Sequence, residues 1–112
     1  MQFLVNVIDD GQAEATGRTE SGTQAEMDAV DAFNTRLGDA IVFAAGVSAP
    51  ADATVVDARS GTTSTTPGPV VAADRFAAGF WVMDLPDAET ALRVAGEASA
   101  ACNRTIELRP LL

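Results

Sequence analysis

In this chain of 112 residues, an amphipathic segment starting at Thr23 lies between two short apolar runs, and the same arrangement returns after residue 76. Thr23-x-x-Glu26 has the pattern of a capping box, in which each side chain satisfies the other residue's free backbone N–H. Met27, Val30, Phe33 and Leu37 follow at helical spacing, Asp28, Asp31 and Arg36 are left for water, and Gly38 supplies the stop. Residues 2–8 (QFLVNVI) read as the strand before this helix and 41–47 (IVFAAGV) as a second, buried strand after it. The connection at 9–22 (DDGQAEATGRTESG) is polar and contains glycine, hence a loop. In the second half, residues 77–85 read as a strand and Asp87 as the N-cap of a helix. Ala88, Ala91, Leu92, Ala95, Ala98 and Cys102 share one face of that helix, and Thr105 to Arg109 form the closing strand. Gly96 costs the helix about 1 kcal/mol relative to alanine, which predicts that another backbone passes close to it. Ala53–Arg59 and Thr62–Thr66 flank Ser60-Gly61 as a hairpin with a two-residue turn. The order β-α-β, hairpin, β-α-β predicts a single α+β domain over 1–112, a ferredoxin-like antiparallel sheet with both helices on one face.

The strands carry a second message. A sheet covered on one side should alternate apolar and polar residues. Here the first strand sets Phe3, Val5 and Val7 against Leu4 and Ile8, and residues 77–85 set Trp81, Met83 and Leu85 against Phe80 and Val82. Two helices cover one face. The other face therefore predicts a homodimer packed sheet against sheet, which can enclose a cavity.

Charge and composition narrow the function classes. A formal net charge of −9 opposes binding to nucleic acid and to anionic membranes. The start, MQFLVNVIDDG, lacks a basic n-region, and no apolar run approaches the roughly 20 residues of a membrane span, so the expected location is cytoplasmic. With no histidine and the single Cys102, zinc lacks its usual ligands, and no metal or cofactor is expected. Cys102 ends an apolar helical stripe and reads as a small buried hydrophobe.

Four residues are candidate ligand contacts. Asp74-Arg75 follows the Pro67-Gly68-Pro69 turn, where the guanidinium could hold an anion at a pocket rim or the two could form a solvated pair. Trp81 either stacks on a ligand or fills core or interface. Asn6, the one polar residue inside the first strand, either points between facing sheets toward a ligand or faces the helices and satisfies a backbone group. Asp9 and Asp10 read as turn formers beside Gly11, and Asp84, like them and Asp74, sits at a strand end where water is expected.

The run PGPVVAADRFAAGFWVMD (67–84) resembles the signature of the YCII-related, or DGPF-domain, family: Asp-Gly-Pro-Phe, a short polar stretch, then a Gly-Gly-aromatic strand ending in Asp. Gly68 and Pro69 keep the turn, and Gly79, Phe80, Trp81 and Asp84 keep the strand. Pro67, Val70, Ala72 and Asp74 stand where the pattern has Asp, Phe, Glu and Lys. A "TV...R.G....T" hairpin and a closing IELRP extend the resemblance over most of the chain. It implies a dimeric α+β barrel. It also implies lyase-type chemistry through a His-Asp pair in and just after the first helix, but the matching stretch here, AEMDAVDAFNTRLGDA, has no histidine. Relatives found beside extracytoplasmic-class sigma factors imply a regulatory setting. Two functions follow: a dimer that binds a small apolar or weakly anionic molecule in its barrel, or a cofactor-independent lyase, isomerase or cyclase acting on a small apolar substrate.

Overall fold

A computed structural model describes residues 1–11 and 22–112. The order along the chain is β1 (Gln2–Asp9), α1 (Gln24–Leu37), β2 (Ile41–Gly46), β3 (Thr54–Asp57), β4 (Ser64–Pro67), β5 (Phe76–Asp84), α2 (Ala88–Cys102) and β6 (Thr105–Pro110). Most of the expected loop at 9–22 lies outside the described residues. The main sheet has the antiparallel order β2-β5-β1-β6, the ferredoxin-like arrangement, and β3 and β4 form a separate two-stranded sheet.

Both helices start as their sequences dictate. Thr23 Oγ1 accepts from Glu26 N at 3.1 Å while Glu26 Oε1 accepts from Thr23 N at 2.8 Å, and Asp87 accepts from Thr90 N at 2.7 Å. Gly38 (φ +53°) follows α1 and Asn103, also at +53°, ends α2. The helices pack on one face of the sheet, where Phe3, Val5, Trp81 and Met83 meet Phe33, Ala91, Val94 and Ala98 in the buried core. Trp81 and Met83 therefore face the helices, and Leu4, Asn6, Phe80 and Val82 lie on the opposite face.

Several expectations need correction. β2 is an edge strand, with Val42 55% and Phe43 57% exposed, because β5 takes the central place and none of the described strands pairs with β2's outer side. On α2, Leu92 is 67% exposed and Val94 takes its place in the core. Gly96 has open space where a side chain would stand, so no backbone of the described residues crosses there. The hairpin loop spans residues 58–63, since pairing stops at Asp57 and Ser64. Asp57 Oδ1 accepts from Arg59 N at 3.0 Å and its carboxylate also holds the Arg59 guanidinium, which draws the chain out of the ladder early. The Pro-Gly-Pro turn behaves as expected: Gly68 sits at φ +98°, a region that favours glycine, and donates to Ala53 O at 2.7 Å.

Candidate functional site

A pocket of about 520 Å³ opens between α1 and the helix-covered side of the sheet. Small residues make the space. Ala44, Gly46, Ala78 and Gly79 line it and offer no side chain long enough to fill the gap beneath the helix. β2 and β5 run close together here, since a Cβ on Gly79 would stand 3.0 Å from Ala45 O. Above the floor, the apolar stripe of α1 divides in use. Phe33 is buried in the core, whereas Met27 (40% exposed) and Val30 line the pocket, joined by Asp31 and Asn34.

Trp81 forms part of the wall. Its indole Nε1–H donates to Asn34 Oδ1 at 2.8 Å, and its ring meets Phe33 edge-on at 5.4 Å. The bond satisfies the polar end of a side chain that is only 4% exposed. It uses one lone pair of Asn34 Oδ1, so the amide keeps its Nδ2 donor and a second acceptor lone pair.

The far end of the pocket holds charge. Arg104 is 6% exposed and Asp9 2% exposed, with Arg104 Nε 3.6 Å from Asp9 Oδ2. Arg104 Nη1 donates to Glu26 Oε2 at 3.3 Å, to Asn103 O at 2.9 Å and to Cys102 O at 3.4 Å. Topology brings these residues together. The antiparallel β1–β6 register pairs Ile8 with Thr105, which sets residue 9 beside residue 104. Glu26 arrives from the first turn of α1. Hydrogen bonds from Thr23 N, Asn103 Nδ2 and Arg104 hold its carboxyl well below the ordinary 4.5, at about 2. Cys102, also in the lining, is buried, and desolvation pushes its thiol pKa up.

Chemically, this arrangement is better at holding than at reacting. Glu26 stays ionised and fully occupied, so it is a weak proton acceptor at neutral pH. A thiol raised by burial is a poor nucleophile.

Of the residues singled out from sequence, Trp81 lines this pocket. Asn6 lies on the opposite face, its Nδ2 donating to Glu107 Oε1 at 3.3 Å. Asp74 and Arg75 are exposed between β4 and β5 and line neither pocket found among the described residues. Asp84 is exposed, as expected of a strand end, and Asp10 also reaches solvent. Asp9 is the correction: it is buried, because the β1–β6 pairing closes over it and supplies Arg104. Arg104, Asn34 and the second role of Glu26 were not read from the sequence. A signal existed for Arg104, since the expected sheet order already sets the end of β1 against the start of β6. For Asn34 there was none beyond its place one residue after Phe33.

Neither the protein-family models nor the curated proteins contain a match to this chain. No group of three or more His, Cys, Asp or Glu side chains placed to hold a metal ion occurs among the described residues, and none of the described helices is long and apolar enough to cross a membrane.

Proposed function

We propose that the chain is the protomer of a sheet-to-sheet homodimer, a barrel of the YCII-related kind, that binds a small and mainly apolar molecule beneath α1. The observation that carries the binding reading is the pocket itself: about 520 Å³, apolar over most of its lining, with Trp81 anchored in its wall. This is within the size range of small-molecule sites, which combine apolar walls with a few fixed polar groups. The lack of histidine and the low pKa of Glu26 favour binding over acid–base catalysis.

Dimerisation draws its support from uncovered surface. The open face supplies suitable side chains, with Phe43 against Phe80 at 5.9 Å between ring centroids and Val82 paired with Leu4.

Trp81 is the chain's one tryptophan and there is no tyrosine, so its emission reports on the pocket directly. A small-molecule library screened by melting temperature, with hits titrated against Trp81 fluorescence, tests the reading. Ala44→Phe occupies the pocket from an exposed edge-strand position and should abolish binding with little change in melting temperature. Hits that bind this variant as well as the parent chain would place the ligand elsewhere. A hit that is turned over, with conversion lost in Asp31→Asn, would replace binder with enzyme.

A further inference from the structure

We infer that the pocket selects a ligand with a cationic amine on an apolar body and rejects its carboxylate counterpart; this rests on the binding reading above and names the ligand class. Among the described residues, the ionisable groups lining the pocket are Glu26, Asp31 and Arg104, with Cys102 a neutral thiol, and Asp9 stands directly behind Arg104. Among the described residues, two carboxylates (Glu26 and Asp31) and one guanidinium line the pocket, and a third carboxylate, Asp9, stands behind that guanidinium. That guanidinium is already committed to Asp9, Glu26 and two backbone carbonyls, and its side chain is 2% exposed. An entering anion would find, among the described lining residues, no cation that is not already paired, and would meet the field of Glu26 and Asp31. Arg75, the other basic residue considered for an anion, is exposed outside the pocket.

A cation meets the reverse. Asp31 is exposed on α1 at the pocket lining and its charge is not used by a described basic residue, so it can pair with an ammonium group as the apolar body enters. The Trp81 ring adds a surface that attracts cations where its face is reached. The whole chain, at −9, biases approach in the same direction.

The test uses probes with one body and three heads: 3-phenylpropylamine, 3-phenylpropanol and 3-phenylpropanoate, with the matching cyclohexyl series as a second body. Binding is read by Trp81 fluorescence and by melting temperature at low ionic strength. The amine should bind at least about tenfold more tightly than the acid, equivalent to about 1.4 kcal/mol, with the alcohol between them. Added salt should narrow the gap. Asp31→Asn should weaken amine binding about threefold and leave the alcohol unchanged. An acid that binds as tightly as the amine, or an amine preference untouched by Asp31→Asn, overturns the charge selection while the pocket still binds. If no head on either body moves either readout, while Ala44→Phe also leaves library hits unaffected, the pocket reading falls and this inference with it.

Discussion

Glu26 serves two structures at once, and a single substitution can separate them. It closes the capping box of α1, and its second oxygen accepts from Asn103 and Arg104. Because its folded pKa is depressed to about 2, the stabilisation it gives is fully present above its ordinary 4.5 and is lost as the pH falls between those values. Glu26→Gln keeps a residue suited to the capping box but removes the charge facing Arg104. Near neutral pH it should cost about 1–3 kcal/mol, and the deficit should shrink as the pH approaches 2. Chemical denaturation of both chains across pH 2–7 checks this. A deficit that stays constant over that range would show that the charge contributes nothing. Arg104→Gln is the harsher change, since it removes the cation beside the buried Asp9 carboxylate, and should cost about 3–5 kcal/mol.

Glycine has opposite meanings in the two elements that bear it internally. In α2, Gly96 is exposed with open space around it. Gly96→Ala should therefore stabilise the protein by about 0.5–1 kcal/mol through helix propensity alone. In β5, a Cβ at Gly79 would press on the backbone of Ala45 and Gly46, and backbone yields less readily than a side-chain tip. Gly79→Ala should destabilise by about 1–3 kcal/mol. Thermal melts of the two variants should move in opposite directions, and a shared direction would contradict the packing around one of them. Sequence alone offers the same letter in both places; its worth depends on which neighbour stands across from it.

For the whole molecule, the alternation of β5 separates folding from the proposed assembly. Trp81→Glu places a charge in the core against Phe33 and should unfold the chain. Val82→Glu lies on the face away from the helices and should yield a folded monomer. Light scattering coupled to size exclusion, with circular dichroism on the same fractions, distinguishes the two. A parent chain of monomeric mass at low micromolar concentration would remove the reason for the dimer.

Local chemistry was legible in advance wherever an element is governed by its own residues. The capping box at Thr23, Asp87 as N-cap, the turn at Gly68 and the β-α-β order all follow from side chains within a few positions of one another, and these gave the ferredoxin-like fold. What stayed hidden arises between segments distant in the chain. Strand alternation shows that two faces exist, but not which one the helices cover, so Trp81 was undecided between core and open face until α1 supplied Phe33 and Asn34. An apolar run does not distinguish a central strand from an edge, which is why β2 looked buried. The pocket depends on an absence of volume, with Ala44, Gly46, Ala78 and Gly79 meeting below Met27 and Val30. Only the packed arrangement of α1 over the sheet turns those small residues into a cavity, and Asp9 into a buried carboxylate.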